Sequence, residues 1–406
     1  LIELALNNNR DLRMASLNVE QARAPFQVRR AAQYPAVGLA ANASRAPASG
    51  TGNITNNFSV GLAVTAWELD FFGRVASLKE QALAQYLATE EGRNAAQVSL
   101  ISSVANGWLN LLADEELLEL SRRTLATREE SVRLTKLRLD SGAASELDYR
   151  QAESLAQAAR ATLTQQQRQR ALDENALALL LGQPLPEDIR ATLGRSDLNA
   201  APVIQAVPAG LPSDLLVRRP DIRQAEQQLI GANANIGAAR AAFFPRISLT
   251  AQAGTASGEL SGLFKNGSWG FTLAPSLLLP LFDAGANQAN LESAQASRSV
   301  AVAQYEKAIQ TAFREVADAL ASQSSLTEQL EAQRKQAEAE SIRFKLADLR
   351  YQNGVASYLD LLDAQRSLFS TQQGVVQVRL SQLQNQVSLF KALGGGWTDE
   401  TSSAKP

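Results

Sequence analysis

The chain has 406 residues, 39 basic and 41 acidic side chains, a formal net charge of -2, and neither Cys nor His. A near-balanced charge supplies no global basic field for nucleic acid. The missing Cys and His remove the commonest metal ligands, the commonest general base, the thiol nucleophile and any disulfide framework.

Residues 1–34 read as one helix rich in Ala, Arg and Gln, with Pro25 as its candidate kink, and Tyr34-Pro35 ends it. From residue 36 to 68 the period changes to two. Val37, Leu39, Ala41 and Ala43 alternate with small or polar residues, a Gly/Asn/Ser/Thr-rich link follows from Ser49 to Asn57, and Val60, Leu62, Val64 and Ala66 alternate again. The pattern predicts a hairpin of two strands of about 10 residues each, the length that a tilted strand needs to cross a bilayer. No apolar run reaches the roughly 18 residues of a membrane-spanning helix.

Gly73 opens a long helical stretch, 74–139, without proline. At about 1.5 Å per residue it would reach roughly 100 Å. Gly142 marks a turn, and a returning helix runs to about Leu181, where Gly182-Gln183-Pro184 stops it. Residues 184–213 then read as an irregular connector, with five prolines.

From residue 214 the pattern begins again. Arg219-Pro220-Asp221-Ile222-Arg223 answers Asn9-Arg10-Asp11-Leu12-Arg13 at an offset of 210, and Phe244-Pro245 answers Tyr34-Pro35. A second hairpin is predicted over 246–280, with a Gly/Ser loop from Gly254 to Ser268. A second long helix follows over 286–352, and from Ala286 to Asn353 there are 68 residues without Gly or Pro. Tyr305, Ile309, Phe313, Val316 and Leu320 are spaced as a coiled-coil seam. Gly354 turns the chain into a final helix to residue 393, and 394–406 read as a disordered tail.

The two turns are near-copies: Gly142, Ser145, Leu147 and Asp148 match Gly354, Ser357, Leu359 and Asp360. The chain is therefore expected to hold an internal repeat, 1–183 and 214–393, each half being helix, hairpin, long helix, turn, long helix. A lone hairpin is marginal. Four strands per chain do not close a membrane barrel either, because single-chain barrels start at about eight. The pattern thus implies an oligomeric helical tube with a β end. Three copies would give twelve strands, but the pattern does not fix the number.

The segment RRPDIRQAEQQLIGANANIGAARAAFFPRISLTAQAG (Arg218 to Gly254) resembles the signature of the TolC/OprM-like outer-membrane factor family. TAWELDFFGR from Thr65, LLGQP from Leu180, GLPSDLL from Gly210, YLDLLDAQRSLF from Tyr358 and ALGGGW from Ala392 are also similar to that family. The resemblance covers nearly all of residues 1–397, most of all with outlets of resistance-nodulation-division drug efflux pumps. It implies a mainly α, α+β chain. In a homotrimer, a twelve-stranded transmembrane β-barrel, four strands per chain, would continue into a twelve-helix periplasmic α-barrel. The 184–213 connector and the tail would contribute to an equatorial belt.

The implied partners are further copies of the chain, outer-membrane lipid, a periplasmic adaptor (membrane fusion protein), an inner-membrane pump and small-molecule drugs. No nucleic acid, cofactor, metal or catalysis is expected. Many relatives begin with an acylated Cys. The chain opens in mid-pattern at Leu1-Ile2-Glu3, so the expectation is a trimmed start and a lipid anchor in the full-length form.

Carried over by position, Leu359, Asp360 and Asp363 match a periplasmic gate. Tyr351 and Asp148 match a pair that latches the inner helix hairpin to the outer one, and Arg366 is placed to hold a carboxylate one turn away. The turns at Gly142, Ser145, Gly354 and Ser357 would meet the adaptor. Ala356 departs from one branch of the family, which has Arg there and a second latch. Two carboxylates about 6 Å apart repel by roughly 0.7 kcal/mol in water, so an acidic ring attracts cations but does not hold itself shut. Two other readings compete: the exit duct of a type I protein secretion system, and a periplasmic coiled-coil adaptor. The RPDIR segment argues against the first, and paired hairpins at matched places argue against the second.

Overall fold

A computed structural model describes residues 1–47, 54–193, 198 and 218–396. Their elements run α1 (Ile2–Asn8), α2 (Arg10–Ala31), β1 (Val37–Pro47), β2 (Ile54–Leu69), α3 (Arg74–Asp140), α4 (Glu146–Leu181), α5 (Glu187–Leu193), α6 (Pro220–Ala241), β3 (Arg246–Ser257), β4 (Trp269–Leu278), α7 (Ala286–Gln352) and α8 (Tyr358–Ala392). Contacts divide the chain into two units. One takes Leu1–Met14, Asn94–Pro220 and Gln310–Pro406; the other takes Ala15–Arg93 and Asp221–Ile309. Helices α2, α3 and α7 contribute to both.

The second unit holds one antiparallel sheet in the order β1-β2-β3-β4, with β2 joining the two hairpins through β3. Cross-strand partners share a face. The rows Leu39–Leu62–Ala253–Phe271 and Val37–Val64–Ala251–Leu273 give one apolar face. The rows Ala40–Gly61–Gly254–Gly270 and Gly38–Ala63–Gln252–Thr272 give a small and polar one. A bulge between Val64 and Trp67 adds one residue to β2, with Ala66 at φ 48°, and so returns Trp67 to the apolar face opposite Leu249. Below the strands, Asp70 accepts from the Val75 and Ala76 amides at the start of α3, and Asp283 accepts from the Gly285 and Asn287 amides at the start of α7. Both carboxylates satisfy amides that have no partner within the helix.

In the first unit Leu111, Leu177, Leu181, Leu193 and Leu198 are almost wholly buried and form the main core. The expected single helix over 1–34 is corrected: it breaks at Asn9, whose backbone is extended (φ -63°, ψ 130°). The Asn9 side chain explains the break. Its Oδ1 accepts from the Leu12 amide, and its Nδ2 donates to the Leu180 carbonyl, 2.9 Å away. The segment that answers it does the same, with Arg219 donating to the Ala392 carbonyl at 3.0 Å. Gly182 and Gly394 end their returning helices in left-handed turns, where a Cβ would strike the backbone oxygens of Asn8 and Arg218.

Pro25 lies within α2, which continues past it to Ala31. Three further expectations are corrected. The connector contains a helix, α5, and β3 runs to Ser257, which shortens the expected loop. The seam on α7 is also displaced. Ala312 and Ala319 are buried, whereas Phe313 and Leu320, one residue further on, stay exposed. The expectations for the tail beyond 396 and most of the connector concern residues outside those described.

One buried acid in this unit predicts a pH dependence. Asp114 is 6 % exposed. Burial first, and the Asp173 carboxyl second, push its carboxyl up from 3.8 to about 7, against the opposing charge of Arg170 and with that of Glu115. The folded chain keeps this proton across a range in which the unfolded chain has lost it, so stability falls as pH rises from about 4 to about 7. Asp114→Asn should therefore raise the thermal midpoint at pH 8, by a stabilisation on the order of 2–4 kcal/mol. At pH 4 the gain should vanish. Scanning calorimetry at the two pH values checks it.

Candidate gate at the two helix turns

Both turns are built by the same local chemistry. Gly142 (φ 76°) and Gly354 (φ 71°) take the left-handed conformation that ends α3 and α7. Ala143 N–H returns to the Arg138 carbonyl and Gly142 N–H to Leu139; likewise Val355 returns to Arg350 and Gly354 to Tyr351. These paired bonds satisfy carbonyls that the helix ends leave free. The next helices start with capping boxes. Ser145 Oγ accepts from the Asp148 amide, while Asp148 Oδ2 accepts from the Ser145 amide and hydroxyl. Ser357 and Asp360 repeat the arrangement at the same distances.

The four helix ends meet in a small core. Ala152 and Leu155 of α4 pack with Tyr358, Leu361 and Leu362 of α8, flanked by Val132 of α3 and by Phe344, Ala347 and Tyr351 of α7. Leu362 is 2 % exposed. The candidate gate residue Leu359 lies outside this core and is 59 % exposed, and Asp360 and Asp363 are exposed too.

The candidate latch is not joined by a hydrogen bond among the described residues. The Asp148 carboxylate is held by Ser145. The Tyr351 ring lies 4.7 Å from the Arg138 guanidinium and 5.3 Å from the Tyr358 ring. Tyr351 thus links the two hairpins through a cation–π contact rather than through its hydroxyl, while its aromatic pair with Tyr358 lies within the α7–α8 hairpin. Arg366 is corrected as the carboxylate holder. Asp363 instead pairs with Arg343 of α7, which also reaches Glu340 and the Ser367 hydroxyl. Sequence reading missed Arg343, Arg138 and Tyr358. Arg343 is 20 residues from Asp363 along the chain, and only an antiparallel helix register could have brought it forward.

The capping boxes carry a prediction. Ser357→Ala removes the acceptor of the Asp360 amide and should cost about 1 kcal/mol. Amide exchange at Asp360 should then quicken by roughly fivefold, while exchange at Asp148 in the matching turn stays unchanged.

The chain is similar to known proteins along nearly its whole length. The family model described as outer membrane efflux protein matches residues 1–183 and 211–395. The antibiotic efflux pump outer membrane protein ArpC of Pseudomonas putida is 47% identical over 410 residues, spanning 100% of this chain and 84% of its own length. The toluene efflux pump outer membrane protein TtgC of the same species shows the same identity and coverage. Among solved structures, the open state of the MtrE outer membrane channel of Neisseria gonorrhoeae superimposes with a TM-score of 0.88 at 42% identity, covering 97% of this chain and 88% of that one.

Proposed function

The chain belongs to the outer membrane efflux protein family and forms the outer-membrane channel of an efflux pump, and we propose that it works there as a passive homotrimeric duct opened at the turns of its long helices. The family is one of transport channels, not of enzymes.

The observation that carries the reading is the open sheet. It has one apolar face, one small and polar face, and two strand edges, β1 and β4, unpaired among the described residues. In lipid each unpaired backbone group costs several kcal/mol, so such a sheet must close on copies of itself. Pairing β4 of one copy with β1 of the next in a ring of three gives twelve strands, with lipid outside and solute inside. Trp67 and Trp269 lie on the apolar face near opposite ends of their strands, in the positions of two interfacial girdles. The same three copies bring together twelve long helices, four from each. Exposed apolar residues Ile342, Leu346 and Leu349 then find cover between copies. The two repeated halves are read as one duplicated unit.

At the turns, Leu359, Asp360 and Asp363 form the proposed constriction. The small core around Leu362 and the Arg138–Tyr351 contact hold the hairpins together, and the Arg343–Asp363 pair ties the two helices of the second hairpin to each other. A periplasmic adaptor meeting the turns at Gly142, Ser145, Gly354 and Ser357, with an inner-membrane pump behind it, opens the duct by binding the open form more tightly. The cargo is small drug-like molecules. Expression in an outer-membrane-efflux-deficient strain should lower drug accumulation and give a trimer-sized band in unboiled detergent gels. Unchanged accumulation by outer-membrane-located protein would refute the duct.

A further inference from the structure

The mechanism makes no use of a buried guanidinium in the first unit. Arg128 of α3 is 7 % exposed, yet it forms no ion pair among the described residues. One Nη donates to the Leu155 carbonyl at 3.2 Å, the guanidinium carbon lies 5.6 Å from the centre of the Phe369 ring, and Nε has no partner. Burying an unpaired charge is among the costliest arrangements in a protein interior. Arg366 nearby makes it worse: burial first, and Arg366 second, push the Arg128 guanidinium down from its ordinary value.

This cation faces a cavity of about 180 Å³ between α3, α7 and α8. That is room for about six waters at ~30 Å³ each. Its walls combine apolar side chains, Leu120, Phe344, Leu368 and Phe369, with the polar groups of Arg123, Thr124, Gln365 and Gln372. Gln365 Oε1 is also buried without a partner. A neutral amide would in any case leave the Arg128 charge uncompensated. With that amide turned over, its NH₂ becomes one more donor to the cavity. Arg123 at the mouth is exposed, and among the described residues its ion pair is with Glu119, which Arg122 also approaches.

We propose that this cavity binds a small oxyanion, a phosphate or carboxylate group, held by Arg128 from within and by Arg123 at the mouth. A planar guanidinium with free N–H donors suits either group. The apolar wall strengthens the attraction by keeping water away. The site lies beside the small core of the helix turns, since Leu155 belongs to both. An anion there ties α3 to α8 and biases the turns toward the packed form.

Thermal unfolding and calorimetric titration of the detergent-solubilised full protein test this at fixed ionic strength, with inorganic phosphate, acetate and chloride as probes. Phosphate or acetate, whichever fits, should raise the midpoint saturably where matched chloride does not, and the comparison identifies the anion class. Arg128→Gln should weaken the binding by roughly tenfold or more. The exposed variant Arg123→Ala, which keeps the buried wall intact, should weaken it by a few-fold and guards against misfolding of the first variant. Chloride-like behaviour of both oxyanions in the wild-type protein overturns the proposal, as does equal binding by wild type and both variants.

Discussion

Gly61→Val should abolish recovery of folded protein in the outer membrane. Gly61 faces Gly254 across the β2–β3 seam. A Cβ at Gly61 would lie 2.4 Å from the Ala253 carbonyl oxygen and 2.7 Å from the Gly254 Cα. The obstacles are backbone atoms, which cannot swing aside, so the strands must part. That seam is the one through which the two hairpins of the chain are joined, and two-stranded hairpins alone are marginal. The cost should exceed about 4 kcal/mol, the range that single substitutions rarely reach. Gly38→Ala is the matched control: it lies on the same face, where an added Cβ meets nothing within 4 Å, and it should be nearly neutral. Heat-modifiable migration in gels of outer-membrane fractions reads both.

Leu362→Ala should leave the barrel intact and loosen the helix turns. Leu362 is almost wholly buried in the core shared by both helix hairpins. Truncation of such a leucine costs about 2–5 kcal/mol, the spread depending on how far the site collapses. In the proposed trimer the loss is felt three times around one axis, so the closed population should fall steeply. Cells carrying the variant should take up a large hydrophilic dye that wild-type cells exclude. Unchanged uptake, with normal protein levels, would move closure away from this core.

The sequence made most of the architecture legible, for physical reasons. Strand alternation is a period-two signal, and the rows of Val37, Leu39, Val60 and Leu62 fall on one face as that period requires. The turns were legible because Gly142 and Gly354 need a left-handed backbone and Ser145 and Ser357 are capping residues. The break at Asn9 was not, because its cause is a hydrogen bond to Leu180, 171 residues away. The seam on α7 was not legible, because within one chain the small Ala312 and Ala319 face inward while the larger Phe313 and Leu320 stay exposed, and spacing alone does not choose between adjacent positions.

The gate residues show the same division. Leu359 and Asp360 could be placed by their distance from a turn glycine. The roles of the two acids differ for reasons of tertiary contact: Asp360 serves a cap, whereas Asp363 meets Arg343 on a neighbouring helix. No pattern local to α8 contains that pair.

Single-channel conductance in a planar bilayer, comparing wild type with the Asp360→Ala/Asp363→Ala double variant, tests the duct and its closure together. The account predicts a small, cation-selective wild-type conductance. Removing both carboxylates should widen the pore and abolish the selectivity, since it takes away the lining charge, the Asp360 half of the capping box and the Arg343 tie at once. A wide wild-type pore that the substitutions leave unchanged in size and selectivity would contradict a gate at these turns.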